Sequence, residues 1–284
     1  MKNTATKVRP AFFPTFALIL GSAYTLFPIL WLIIAATKNA NELFSTPTMA
    51  PSFNGGLWEN LQGIFAFSNG AFIKWIGNSL LLSLGGAVMA TLVAALAGYG
   101  LAKYSFPGKQ IAFTFLLIGV LVPGVVLAIP QYLLLAKVGL AGTYWSVLLP
   151  FAISPFSIYL ARIYAGASIP GELLEAGRID GAGETRLFFS VGVPLMVPGL
   201  ITVFLLQFIA IWNNFLLPFI MFSKAEMFPL TVGFYSMMNQ GHDQSNVYNL
   251  VITGCLVAII PLILLFIFLQ RFWRLDLVSG SLKG

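Results

Sequence analysis

The chain has 284 residues, 58% of them hydrophobic and only 8% charged, with a net charge of +6. Globular domains carry about 25% charged residues, so this composition excludes a water-soluble domain and reads as an all-α polytopic membrane protein. A single cysteine, Cys255, and a single histidine, His242, exclude a disulfide framework and leave no set of metal ligands; the first reads as a small core residue, the second as a solvated loop residue.

Lys2, Lys7 and Arg9 precede an apolar run from Phe12 to Thr37. At about 25 residues it exceeds the ~7–15 of a signal-peptide core, and a retained first span is expected. Residues 38–70, with Asn39, Glu42, Pro47, Pro51, Asn54, Gly55, Gly56, Glu59 and Asn60, read as a polar loop too short for a domain. The second span, Phe72 to Tyr99, is rich in small residues (Gly85, Gly86, Ala90, Ala94, Gly98), which let membrane helices approach closely. The third, Ile111 to Ala136, is broken at Pro123-Gly124 and again at Pro130. Such breaks are tolerated only against protein or a water-filled cavity. Gln131 and Tyr132 are therefore candidate cavity-lining residues, with a kinked packing helix equally compatible. The fourth span, Tyr144 to Tyr164, contains Pro150, Ser154 and Pro155 and ends at Arg162. The fifth, Phe188 to Phe222, holds Trp212, Asn213 and Asn214, and adjacent amides in a span either line a solute path or hydrogen-bond helices together. A polar loop, 223–246, leads to a sixth span, Val247 to Leu269, and a short polar tail.

Between the fourth and fifth spans lies a charged island with Glu172, Glu175, Arg178, Asp180, Glu184 and Arg186. A charge at mid-bilayer costs at least ~2.5–3.5 kcal/mol, so this stretch lies outside the lipid. Leu173, Leu174, Ala176 and Ile179 recur near helical spacing, Pro170-Gly171 suits a helix start, and Gly181 and Gly183 interrupt it. The pattern predicts a short surface helix, a turn at Asp180-Gly181-Ala182 and a second helical start. So short an amphipathic helix is marginal alone and calls for a partner surface or for the headgroups. Placing basic residues by the positive-inside rule puts Lys2, Lys7, Arg9, Lys103, Lys109, Arg162, Arg178, Arg186, Arg271, Arg274 and Lys283 on the inner side. Only Lys38, Lys74, Lys137 and Lys224 fall outside, so both termini and the charged loop are expected to be cytoplasmic.

All nine acidic residues fall outside the mid-span regions, so the chain offers no carboxylate relay for proton coupling. Gly108-Lys109 is followed by Gln110, with Lys103 at the first-glycine position, so there is no phosphate-cradling loop. Nor is there an H-E-x-x-H pair or a nucleophile cluster, which argues against an enzyme. Uphill transport would need energy from a partner docked on the charged helix. The alternative is a passive sugar or polyol facilitator, or a secondary carrier, acting without an ATPase.

Glu175-Ala176-Gly177-Arg178-Ile179-Asp180-Gly181-Ala182, followed by Val193-Pro194 and Pro198, resembles the EAA loop of ABC importer permeases. It departs from that pattern at Gly177, usually Ala, and Val193, usually Leu. Asn78-Ser79, Tyr104 to Gly108, Ile129-Pro130, Trp212 to Phe215 and Gln270-Arg271-Phe272 are similar to the carbohydrate-importer class, which includes the smaller maltose permease subunit. The resemblance implies a type I importer permease with six transmembrane helices. It would form one domain over 1–284, with its core at 72–270 and a cytoplasmic coupling loop at about 168–190. It implies a non-catalytic inner-membrane subunit moving a sugar or sugar-like solute, with Gln131, Tyr132, Trp212, Asn213 and Asn214 as the candidate path. Glu175 would pair with a basic residue of the ATPase, Asp180 and Gly181 would shape the turn, and Ala176 and Ala182 would allow close packing, while Gly177 would loosen the helix. The implied partners are a dimer of ATP-binding subunits carrying ATP and Mg, a second homologous permease, an extracytoplasmic solute-binding protein and the lipid bilayer. No nucleic acid, and no cofactor or metal in this chain, is expected. The tail from Ser279 to Gly284 would reach toward the ATPase.

Overall fold

Every regular element of the computed structural model is helical, and residues 12–239 and 244–281 are described; side chains are considered for 12–239 and 246–272. Lys2, Lys7, Arg9, His242, Asp243 and Lys283 lie outside the described residues, as does the end of the tail. The residues group into two compact units, one formed by the chain up to Phe67 with Met238–Val257, the other by Ser68–Met237 with the chain from Ala258 on.

In the first unit, α1 (Phe12–Ala36) leaves almost every side chain exposed until Ala35 and Ala36, as suits a helix solvated by lipid. The segment after it, expected as loop, contains two helices, α2 (Ala40–Ser45) and α3 (Gly56–Ala66). The missed signal was a capping box. The Glu42 amide donates to Asn39 Oδ1 at 2.9 Å and the Asn39 amide to Glu42 Oε2 at 3.1 Å. Lys38 is buried and donates through Nζ to the Pro47 carbonyl at 2.7 Å. Its own carbonyl accepts from Asn60 at 2.8 Å and, from the start of α14 (Gln244–Ser281), Asn249 at 3.0 Å.

In the second unit, α4 (Ala71–Lys103) has 33 residues, a length of about 50 Å that exceeds the ~30 Å hydrocarbon core. Of its small residues Gly86, Ala90, Ala94 and Gly98 are buried as expected, while Gly85 is half-buried. A Cβ on Gly98 would sit 2.7 Å from Ala161 Cβ and 2.8 Å from the backbone of α8 (Pro155–Ser168). These two helices touch at that point because one has no side chain. α5 (Lys109–Leu121) and α6 (Gly124–Lys137) meet at 104°. The bend falls at Pro123 only: Val122 before it is held extended, as a residue preceding proline prefers. Pro130, expected as a second break, lies inside continuous α6.

α7 (Trp145–Ala152) precedes α8, which Ser154 caps by accepting from the Ser157 amide at 3.3 Å, and α8 runs past Arg162 to Ser168. Half-buried Arg162 lies over the Phe113 ring at 3.8 Å. A π-helical turn, Phe188–Gly192, feeds α11 (Val193–Trp212). The expected fifth span ends there, and Asn213-Asn214 form a break before α12 (Leu216–Met221). α13 (Leu230–Met238) follows a short turn whose carbonyls, Glu226 and Phe228, accept from Asn78 Nδ2 at 2.7 and 3.0 Å. The Asn78-Ser79 pair thus ties down this turn, since Ser79 Oγ also accepts from the Leu230 amide at 2.8 Å. Among the described residues five stretches are long and apolar enough to cross a membrane, and six if the bent pair α5–α6 counts as one.

Candidate functional site

The charged loop folds as its spacing predicts. α9 (Gly171–Ile179) starts after Pro170, whose missing N–H is no loss at a helix start. It closes with two hydrogen bonds, Gly181 N–H to the Arg178 carbonyl at 3.0 Å and Ala182 N–H to the Gly177 carbonyl at 2.9 Å. That is a Schellman closure, which places its C′ residue in the left-handed region. Gly181 sits at φ +80°, where a Cβ would be strained. α10 (Glu184–Leu187) then leads into the π turn.

Two leucines fasten this loop. Leu174 and Leu187 are 3% and 2% exposed and join a core with Tyr99, Ala161, Ile169, Phe188 and Met196. Gly177 does more than loosen the helix: any Cβ there would run into Leu187 Cδ2. Lys103 Nζ donates to the Ile169 carbonyl at 2.6 Å and secures the entry to the loop. Arg178 grips Glu184 by two bonds, Nε to Oε1 at 2.7 Å and Nη2 to Oε2 at 3.2 Å, so α9 is braced against α10. The hydrogen bond it donates to Glu184 holds the Arg178 guanidinium above its usual range. Burial, reinforced by the hydrogen bond to Glu184, pushes the Tyr104 phenol up to about 12.

The apolar stripe read from the sequence divides in two. Leu174 points into the core, while Leu173 and Ile179, 48% and 87% exposed, lie outside with Glu172, Glu175 and Ala176. Asp180 and Gly181 are exposed at the turn, and Ala182 packs against the core. The result is a rigidly mounted helix carrying both acidic and apolar groups outward.

A cavity of about 540 Å³ opens in the second unit, lined by α5, α6, α7, α8, α11 and α12. Of the five candidate path residues it brings together Gln131 and Asn214. Tyr132 lies half-exposed on α6 outside that lining. Trp212 is buried and stacks on Phe208 at 5.6 Å. Asn213 Nδ2 donates back to the Ile209 carbonyl at 2.9 Å, satisfying the end of α11. Asn214 serves the same break, its Oδ1 accepting from the Leu217 amide at 3.1 Å.

The sequence reading passed over Gln207, a lining residue whose Nε2 donates to Ser154 Oγ at 2.6 Å and Ser157 Oγ at 2.7 Å. A lone carboxamide in the apolar run of α11 was the signal available. No charged residue lines the cavity. The polar groups on its wall are three carboxamides and a hydroxyl, those of Gln131, Gln207, Asn214 and Ser154.

The family model for the binding-protein-dependent transport system inner membrane component matches residues 87–274. The arabinooligosaccharides transport system permease protein AraQ of Bacillus subtilis is 34% identical over 270 residues, covering 95% of this chain and 94% of the relative. AraQ of Halalkalibacterium halodurans is 34% identical over 259 residues, 91% of each chain. The lactose transport system permease protein LacG of Rhizobium radiobacter is 28% identical over 271 residues, 95% of this chain and 96% of its own. Among solved structures, a bacterial ABC transporter involved in importing the acidic polysaccharide alginate shares the fold. Its TM-score is 0.79 over 92% of this chain and 96% of that one, at 21% identity. The chain therefore belongs to the binding-protein-dependent transport system inner membrane components and is a non-catalytic permease subunit of an ABC transporter.

Proposed function

We propose that this chain is one of two permease subunits in an importer of a sugar or sugar-like neutral solute, driven by an ATPase docked on α9. The observation that carries the reading is the mounting of α9. Leu174, Leu187 and the Arg178–Glu184 grip tie it to the bundle, while Glu175, Leu173 and Ile179 face away from it. A helix fixed on one side and sticky on the other transmits motion: a partner that rocks α9 also moves the helices its leucines are buried among. The ATPase, a second permease and a solute-binding protein complete the assembly by analogy with the family. ATP and Mg belong to the ATPase. Closure of the ATPase dimer would shift the population from inward- to outward-facing cavities through differential contacts with α9.

The solute class rests on two supports. AraQ and LacG are transport components for arabinooligosaccharides and lactose. The cavity offers Gln131, Gln207, Ser154 and Asn214 without a charge, the hydrogen-bonding character that polyhydroxy compounds need. Orientation follows from the basic residues, with α9 and the carboxyl end of α14 on the cytoplasmic side.

Co-purification tests the reading. The tagged chain, extracted from its own membrane in mild detergent, should retain an ATPase subunit and a second permease. Glu175→Lys should release the ATPase while the chain still inserts and purifies. A chain that comes out alone, and that reconstituted alone moves sugar downhill, would overturn the coupling role.

A further inference from the structure

A second concavity, about 510 Å³, lies on the outside of the second unit between α4, α11 and α14. Leu84 and Thr91 form one wall, Leu200 and Phe204 the second, Phe268 and Phe272 the third. Its lining is apolar but for Thr91, whose hydroxyl is already spent on the Ala87 carbonyl at 2.7 Å. On each helix the lining spans eight residues, or seven rises, from Leu84 to Thr91, Val197 to Phe204 and Leu265 to Phe272. At about 1.5 Å per residue the groove is about 10 Å long, a third of the ~30 Å hydrocarbon thickness.

One end of this groove is charged. The Arg271 guanidinium lies 4.3 Å from the Phe268 ring centre and 4.8 Å from that of Phe272, and both rings line the groove. Arg271 is exposed, and among the described residues no carboxylate pairs with it. A guanidinium lying over ring faces keeps its N–H edges free, and those edges match a phosphate in a bidentate fork. The lining lies at the middle of α4, in the amino half of α11 and in the carboxyl half of α14.

We propose that this groove is a binding site for an anionic phospholipid, with one acyl chain between α4, α11 and α14 and the phosphate on Arg271. Given the orientation proposed above, the lipid comes from the cytoplasmic leaflet, where anionic headgroups are attracted to basic groups beside a span. The site is separate from the solute cavity and from α9.

The test uses the full chain purified into nanodiscs of equal parts phosphatidylglycerol and phosphatidylcholine, with retained lipid measured by native mass spectrometry after detergent exchange. Phosphatidylglycerol should be retained over phosphatidylcholine. Arg271→Gln should reduce that preference about fivefold, the factor given by about 1 kcal/mol per basic residue at an anionic surface. Leu200→Trp, which fills the groove, should reduce retention of both lipids, and Lys74→Gln, at the opposite end of α4, should change nothing. Equal retention of the two lipids, or a phosphatidylglycerol preference that survives Arg271→Gln, would overturn the site. So would a Leu200→Cys variant that cross-links in native membranes to the second permease, which would assign the groove to a protein helix.

Discussion

The contact between Gly177 and Leu187 sets up a test of how the coupling helix is mounted. On an isolated helix, Gly177→Ala would stabilise by about 1 kcal/mol, because glycine is the poorer helix former. Here the new methyl meets Leu187 Cδ2, and Leu187 is 2% exposed inside a packed core, so it has little room to move. Overpacking of this kind costs about 1–3 kcal/mol, which cancels or exceeds the propensity gain. Leu187→Ala alone removes a buried leucine and should weaken docking by about 2–5 kcal/mol. In the double variant the obstruction is gone and only the propensity gain remains. The two changes should therefore couple by about 1–3 kcal/mol, the double variant being more stable than the sum of the singles. Amide hydrogen exchange across residues 171–187 of the purified full chain reads the opening free energy directly. If Gly177→Ala has the same effect in the unaltered chain as in the Leu187→Ala background, the packing explanation fails and Gly177 is a matter of local propensity alone.

Other perturbations reach the remaining parts of the molecule. Gln207→Leu leaves Ser154 and Ser157 without their shared donor; it should raise the KM of solute uptake severalfold while ATPase co-purification is unchanged, and an unaltered KM would remove Gln207 from the path. Gly98→Val drives a branched side chain into Ala161 and the backbone of α8; a loss of ~3 kcal/mol or more should abolish monodisperse purification, whereas a well-behaved variant would show that α4 and α8 are less tightly apposed. Arg178→Ala breaks a grip whose partners are 41% and 47% exposed, so it should cost little global stability and increase exchange at α10 more than in the buried bundle. The Glu42 carboxylate, held below its ordinary 4.5 by the Asn39 amide, then by Asn54 and Ser52, contributes stability that is present above about that pH and lost as pH falls through the lowered value. Amide protection at Glu42 and Thr46 should decline on acidification, and Glu42→Gln, which removes the titrating group, should abolish that dependence.

Much of this was legible in the chain itself. Alternation of apolar runs with charged breaks located the spans, because a bilayer forbids charges over a fixed length. The 171–187 loop was equally readable, since Pro170, Gly181 and the spacing of Leu173, Leu174 and Ile179 act over a few residues of backbone. The capping box at Asn39 and Glu42 was also local and was simply overlooked.

What the sequence could not disclose was which distant groups share a space. Trp212, Asn213 and Asn214 are consecutive, yet the first is stacked in the core, the second closes its own helix and only the third reaches the cavity. Gln207 meets Ser154 and Ser157 across separations of 53 and 50 residues, and Leu174 faces inward while its neighbour Leu173 faces out. Local propensity and hydrophobic period determine where helices begin, end and cross the membrane. Which faces meet, and hence which polar groups line a common cavity, is decided by long-range packing, where the absence of one methyl sets how closely two backbones approach at Gly98 and makes room for the Leu187 side chain at Gly177.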